Sequence, residues 1–421
     1  MTQGRSRHVL VLNHFALPRS EGGGTRHVEL FSRLSRWTHL IVAGNRNNGT
    51  LQKFVSNSPD FVTVPVPAYS SNGIGRVLNW GMYVAGALAV GLTARWRRVA
   101  DTRPRKVDVV YASSPHLLTP LAGWLLAKVH RAPLVLEIRD LWPRSMVELG
   151  YLAEGSRMHR ILVRLEGFFY RSAKRIVAVA DGWQPHFSSF GVPPEKVVLV
   201  SNGAEPADFT PTLTRDKARA HLGVDGFVAV YAGTHGPANG LDLILDIAQD
   251  LTDCTFLLVG SGLDKERLVE RARQERIDNV RFLEPVPKAE LGDLLVACDV
   301  GLHTLAQAEL FKQALSPNKL YDYMAAGLPV ITNVGGDLEM RLAEAGCGVQ
   351  GSPREGMSAR QSLADAVRTI RDRSVDERQT MGRRARDYVE RHASRTAMAA
   401  RLEKVLDDVV AGDAPVPSNH R

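Results

Sequence analysis

With 421 residues, 44% hydrophobic and 23% charged, the chain has material for two or three packed domains and is too apolar to be disordered. Its net charge of +8 suits an acidic partner, a phosphorylated substrate or an anionic membrane surface; nucleic acid is set aside because the basic residues form no stripe interleaved with aromatics. Cys254, Cys298 and Cys347 are far apart with no C-x-x-C spacing, which excludes a disulfide framework and a cysteine zinc site and reads as buried thiols in a reducing cytoplasm.

The first strand is predicted at residues 8–13, and the apolar run inside it is too short for a signal-peptide core. Gly22, Gly23 and Gly24 come next, before a helix at 26–35. Their bare backbone N–H groups can reach a phosphate or sugar oxygen, or the run is a flexible connection. Strands at 40–43 and 61–64 lead to an apolar stretch at 77–94, which follows Arg76 and ends in Arg95-Trp96-Arg97-Arg98. A bilayer span needs about 20 apolar residues, so this one is marginal. It reads either as an interfacial helix anchored by Trp80, Tyr83 and Trp96 or as a core helix.

Strands at 107–112 and 133–137, with a helix at 117–130 between them, are each followed by residues that carry chemistry. His116 is a sugar or acceptor contact, or a surface histidine. Arg139 can pair with a phosphate and Asp140 can bind a sugar hydroxyl; alternatively Arg139 pairs with Asp140 or Glu137 and only holds the loop. A helix at 157–171 and strands at 175–179 and 197–200 follow. This βαβ rhythm predicts a doubly wound α/β domain with a parallel sheet.

Residues 201–215 are polar and turn-rich and read as an interdomain linker. The rhythm then restarts, with strands at 227–231, 255–259, 280–283, 300–305 and 329–332 and helices at 241–251, 265–273, 288–298 and 318–326. Charged helices are predicted at 359–371, 375–392 and 395–410. The expected organisation is a Rossmann-like domain at 1–203, a second at 204–392, a helix at 393–410 returning to the first, and a disordered tail at 411–421. Ligands of such folds sit at the carboxyl ends of the strands, so two facing domains can hold a donor and an acceptor across a cleft.

The segment from Ser316 to Ile331 carries the most functional information. A helix that starts here offers free N–H groups and positive dipole charge to an anion. Lys319 adds a full charge, and Asp322 shares its face one turn deeper, where it can accept hydrogen bonds from hydroxyls. Phosphate first and ribose second is the layout a nucleoside diphosphate needs. An isolated K-x-x-D is otherwise a solvated surface pair. Gly327 is placed to end the helix in the left-handed conformation. The histidines show no metal-ligand spacing such as H-E-x-x-H, so neither a metal nor another cofactor is expected.

Five motifs together resemble one family: Glu21-Gly-Gly-Gly24, Ser201-Asn-Gly-Ala204, Tyr231-Ala-Gly233, Leu258-Val-Gly-Ser-Gly262 and the 316–331 segment. The chain is similar to retaining glycosyltransferases of the GT-B type, family 4. The stretch Leu136-Glu-Ile-Arg-Asp-Leu-Trp-Pro143 resembles a bacterial surface-polysaccharide branch that includes N-acetyl-L-fucosamine transferase-like proteins. The resemblance implies a nucleotide-sugar donor, UDP-linked, and a polyprenyl-diphosphate-linked saccharide acceptor. It implies Lys319 on the departing diphosphate and Asp322 on the ribose. Gly233 and Thr234 are candidates for the diphosphate, Pro317 and Asn318 for shaping the helix start, and Arg139, Asp140 and His116 for the reacting side. It also implies a cytoplasmic protein, peripheral on the inner face of the membrane. The chain departs from the pattern at three places. Ala314 stands where the family has the first of two paired acids, with Glu309 or Gln313 as substitutes. Asn239-Gly240 replaces Lys-Gly, and Arg139-Asp140 replaces His-Asp. A sugar-nucleotide epimerase on the same fold and a non-catalytic scaffold subunit are the alternatives.

Overall fold

The computed structural model describes residues 6–21, 25–48, 50–69, 73–94, 106–148, 150–306 and 316–412. The chain forms two compact units, one of Met1–Ser201 with Met398–Arg421, the other of Asn202–Ala397. The glycines at 22–24, the tryptophan at 96, the acid position at 314 with its substitutes at 309 and 313, and most of the predicted tail lie outside the described residues.

In the first unit, β1 (Arg7–Leu12), β2 (Trp37–Gly44), β3 (Phe61–Val64), β4 (Val109–Ser114), β5 (Leu134–Ile138), β6 (Arg175–Ala178) and β7 (Val197–Leu199) make one parallel sheet in the order β3-β2-β1-β4-β5-β6-β7. Helices α1 (Arg26–Phe31), α2 (Ile74–Leu92), α3 (Leu118–His130), α4 (Arg144–Glu148), α5 (Arg157–Ser172) and α6 (Gln184–Ser189) connect the strands. The central strands are apolar at nearly every position because parallel sheets are covered on both faces. Val9, Leu10, Val11 and Leu12 are all fully buried.

The helix after Ser394 starts in the second unit and runs on in the first. From Met398 its Met398, Leu402, Val405, Leu406 and Val409 form a buried helical stripe. Its acids tie it to the start of β2. The Glu403 carboxylate accepts from the backbone N–H of Ser35 (2.8 Å) and Arg36 (2.7 Å), and Asp407 accepts from Trp37 Nε1 (3.0 Å) and Arg7 (2.7 Å).

Helix α2 separates the two readings of the 77–94 stretch. Tyr83 is fully buried with its hydroxyl on the Val42 carbonyl (2.9 Å), and half-buried Trp80 stacks on His116 at 4.6 Å. Two of the expected aromatic anchors, Trp80 and Tyr83, therefore face inward, a correction that follows from helical phase. Val77, Leu78, Met82 and Leu92 are exposed instead, at 57, 56, 44 and 46%. No described helix is long and apolar enough to cross a membrane.

The second unit has a parallel sheet in the order β10-β9-β8-β11-β12-β13. Its strands are β8 (Phe227–Ala232), β9 (Cys254–Val259), β10 (Val280–Leu283), β11 (Val300–His303), β12 (Val330–Thr332) and β13 (Gly348–Gln350). Its helices are α7 (Arg215–Leu222), α8 (Asp242–Asp250), α9 (Lys265–Gln274), α10 (Lys288–Leu295), α11 (Asn318–Ala325), α12 (Asp337–Ala345), α13 (Ala359–Arg371) and α14 (Val375–Tyr388). The shared helix, α15, spans Arg395–Ala411. Strand β13 and helix α12 were not predicted; the strand is three residues on a sheet edge, too short for a periodic signal. The cysteines are free and buried.

The first part of the expected linker at 201–215 is packed, while Thr210, Pro211, Thr212 and Thr214 are exposed. Ala204 bridges Ser394, Phe209 is 1% exposed in a 3-10 turn (Pro206–Phe209), and Arg215 opens α7. Polar composition misled because two apolar side chains suffice to anchor such a segment.

Helix α14 crosses the end of α11 at a glycine pair. A Cβ on Gly382 would lie 1.9 Å from the Gly327 carbonyl oxygen, and Gly327 ends α11 at φ +75°. Gly382→Ala is expected to destabilise the second unit by about 2 kcal/mol, since backbone has to move. Urea unfolding of variant and parent measures it, and an unchanged midpoint contradicts the close approach.

Candidate functional site

In the second unit the carboxyl ends of β8, β9 and β11 meet the start of α11. Helix α11 begins at Pro317 with no side-chain cap, so its first N–H groups have no local acceptor from a capping side chain. Its entry is pinned by Asn202, whose N–H donates to Ser316 Oγ (2.9 Å) and whose Nδ2 donates to the Ser316 carbonyl (2.5 Å). Lys319 reaches across to β8. Its ammonium donates to the Tyr231 hydroxyl (2.7 Å) and Asn239 Oδ1 (2.8 Å), and lies 4.3 Å from the Tyr231 ring centre. Both acceptors are neutral, and among the described residues no carboxylate pairs with Lys319. Burial pushes this half-buried lysine down to about 7.

The wall of this recess is glycine for steric reasons. A Cβ on Gly260 would lie 1.9 Å from the Gly233 carbonyl oxygen, and one on Gly262 would lie 2.3 Å from that of His235. Behind it are two buried histidines that sequence reasoning did not single out. His235 has neither ring nitrogen hydrogen-bonded among the described residues; His303 bonds Thr332 Oγ1 through Nδ1 (3.0 Å) and leaves Nε2 without a partner. Burial and then the Lys265 and Lys319 charges hold His235 down at about 4, and burial and Lys319 hold His303 at about 3. Asn318 Oδ1 is a further buried atom without a partner. Unsatisfied polar atoms gathered around one cation mark a place where a polar ligand completes the bonding.

Lys319, Asn318, Pro317, Gly233 and Thr234 are thus brought together, with Thr234 exposed and its carbonyl accepting from the Tyr231 hydroxyl (2.8 Å). Asp322 lies half-buried one turn along α11. Asn239, which replaces a family lysine, is a direct partner of Lys319.

In the first unit, a buried polar network stands at the end of β5. Glu137 is fully buried and accepts from Arg26 Nε (3.0 Å) and His27 Nε2 (2.6 Å). The Phe15 N–H donates to Asn13 Oδ1 (3.0 Å), which fixes the Asn13 amide so that its Nδ2 donates to His27 Nδ1 (2.8 Å). His27 is therefore the neutral Nε2–H tautomer. Arg26 also donates to the carbonyls of Val200 (2.5 Å) and Ser201 (2.6 Å). Burial alone pushes Glu137 up, but the His27 contact and the permanent charge of Arg26 hold it well below the ordinary carboxylate range.

Glu137 spends its hydrogen bonds on Arg26 and His27, while the Arg139 charge still acts on both Glu137 and Asp140. Arg139 and Asp140 emerge from β5, Arg139 half-buried and Asp140 exposed. His116 is not on the surface. It is fully buried, bonded through Nε2 to His14 Nδ1 (2.8 Å), with Nδ1 unpartnered. Burial holds both rings neutral, His14 at about 3 and His116 well below its usual value. Near it, Trp80 Nε1, Trp142 Nε1, Ser113 Oγ and Ser114 Oγ also lack partners among the described residues. No group of described residues could hold a metal ion.

Residues 21–203 match the glycosyl transferase 4-like domain and residues 226–372 match the glycosyl transferases group 1 domain. Similar curated proteins include a probable glycosyltransferase, WbjE, of Pseudomonas aeruginosa, 27% identical over 73% of this chain and 76% of that protein. Another is a putative colanic acid biosynthesis glycosyl transferase, WcaI, of Escherichia coli, 26% identical over 53% of this chain and 56% of that protein. Among solved structures, Anabaena Alr3699/HepE in complex with UDP and glucose superposes with a TM-score of 0.67 at 20% identity, over 95% of this chain and 99% of that one. The fold is GT-B.

Replacing the Glu137 carboxylate removes the buried negative charge that Arg26 Nε and His27 Nε2 both meet. Glu137→Gln is expected to cost about 3 kcal/mol at pH 7. Because the Glu137 carboxyl is depressed in the folded state, the parent's advantage is present above the ordinary carboxylate range and shrinks as pH falls through the folded value. Denaturant melts of both proteins at neutral and acid pH check this; equal stability at pH 7 contradicts it.

Proposed function

We infer that this chain, a glycosyl transferase 4-like domain followed by a glycosyl transferases group 1 domain on a GT-B fold, is a retaining, metal-independent glycosyltransferase. It moves a sugar from a UDP-linked donor to a lipid-linked saccharide in surface polysaccharide synthesis. The observation that carries the reading is the Lys319 ammonium, half-buried at an uncapped helix start and bonded, among the described residues, to neutral groups alone. A cation without an anion there is a site for a diphosphate.

In the reaction an acceptor hydroxyl attacks the donor sugar carbon on the face from which the diphosphate leaves. The C–O bond to the diphosphate breaks, negative charge grows on the leaving oxygen, and that oxygen takes the acceptor proton. Lys319 and the α11 N–H groups stabilise the growing charge, and the Gly233–Thr234 backbone lies beside it. Asp322 accepts from the ribose hydroxyls. Gly22, Gly23 and Gly24 offer further N–H groups to the donor, and Arg139 and Asp140 meet the acceptor. His116, enclosed by His14 and Trp80, shapes that side from beneath. Colanic acid synthesis in the name of one relative and UDP in a solved structure support the substrate class. Lipid linkage draws support from α2, whose exposed Leu78, Met82 and Leu92 form an apolar stripe, and from Arg95, Arg97 and Arg98 just after it in the sequence. The working place is then the cytoplasmic face of the membrane.

A thermal-shift screen with UDP, GDP, ADP, dTDP and CMP is expected to show a selective rise with UDP. Lys319→Ala is expected to lower turnover by about 10²–10³-fold while uridine binding is unchanged; parallel loss of both sinks the leaving-group role. Replacing Leu78, Met82 and Leu92 together by Gln is expected to release the protein from anionic vesicles in a sedimentation assay, and unchanged partition assigns that stripe to some other purpose.

A further inference from the structure

We propose that Asn239 and Tyr231 are positioning residues for Lys319, two neutral acceptors that aim its ammonium at the departing diphosphate without spending its charge. The inference rests on the donor site assigned above.

Both acceptors are themselves held. The Tyr231 hydroxyl donates to the Thr234 carbonyl (2.8 Å), which leaves its lone pair for Lys319. The Asn239 carbonyl accepts from Thr304 Oγ1 (2.9 Å), and its N–H donates to the Gly236 carbonyl (2.9 Å). The next residue, Gly240, turns at φ +60°, where a Cβ would lie 2.8 Å from the Leu305 backbone. The loop that presents Asn239 is therefore locked against the residues after β11. Two of the three ammonium hydrogens go to these acceptors, and the third remains for a phosphate oxygen.

The choice of neutral partners matters physically. A carboxylate at position 239 would neutralise Lys319 and repel a diphosphate. A lysine there would crowd a second ammonium into the place of a hydrogen-bond acceptor, at 2.8 Å. An amide orients the cation and does neither. The titratable groups around Lys319 are Tyr231 on β8, His235 in the following loop, His303 on β11, and Asp322 and Tyr323 on its own helix, with Lys265 and Glu284 beyond His235.

Each hydrogen bond to the ammonium favours its charged form, so removing one lowers the pH at which Lys319 loses its proton. The first readout is the titration of Lys319 in the ligand-free protein, followed by NMR of its Nζ, in parent, Asn239→Leu and Tyr231→Phe. A downward shift of about one pH unit is expected in each variant, from about 1 kcal/mol per hydrogen bond. The second is UDP affinity against pH. It is expected to fall about five- to tenfold at pH 8 in each variant and to stay within about twofold at pH 6. A loss that is equal at all pH values assigns Asn239 and Tyr231 a merely structural role and overturns the proposal, as does an unchanged Lys319 titration while UDP still binds. Failure of every nucleotide to bind, with the Lys319 shift present in both variants, rejects the donor assignment and leaves the positioning intact. Tyr231→Phe keeps the ring and serves as the reading should Asn239→Leu unfold the loop.

Discussion

Every strand pairing in both sheets is parallel, and that single constraint arranges the rest of the molecule. Parallel strands need a crossover for each step, and the crossovers cover both faces of the sheet. The strands must then be apolar along their length, and polar side chains are driven to the strand ends. Asn13, Glu137 and Arg139 in one unit, and Gly233, His303 and Asn333 in the other, all stand at or just past the carboxyl end of a strand.

The two ends treat buried charge in opposite ways. In the first unit Arg26 is matched by Glu137, and His27 and Asn13 complete the carboxylate's bonding. A charge satisfied so completely is structure: it joins α1 to β5 and to the carbonyls after β7. In the second unit, among the described residues, Lys319 meets only a phenol and an amide. Its charge is oriented and left uncompensated, with two unprotonated histidines behind it. An unmatched buried cation costs stability, and a fold retains one where a ligand supplies the missing charge.

Helix α2 shows how one element can serve two environments. Tyr83 and Ala87 are buried in the first unit's core, while Leu78, Met82 and Leu92 are exposed on the outer side. An apolar outer stripe on a helix whose inner stripe is already packed adds nothing to that core. It is consistent with a surface that meets something apolar.

The sequence by itself determined the βαβ rhythm, the positions of every strand but β13 to within about three residues, and the Lys319–Asp322 helix, because these are local: strand runs, helical spacing and the glycine at a helix end are all written in neighbouring residues. The left-handed turn at Gly327 is one such case. It did not determine that Ala204 and Phe209 are buried, that His116 is buried against His14, or that Trp80 and Tyr83 face inward, since each depends on a partner far along the chain or on helical phase against a core. Likewise Asn239 read as a missing cation until tertiary contact, across 80 positions, placed it on Lys319. Only folding decides which charges meet, because electrostatic and hydrogen-bond partners are chosen by distance in space, and the sequence records distance along the chain.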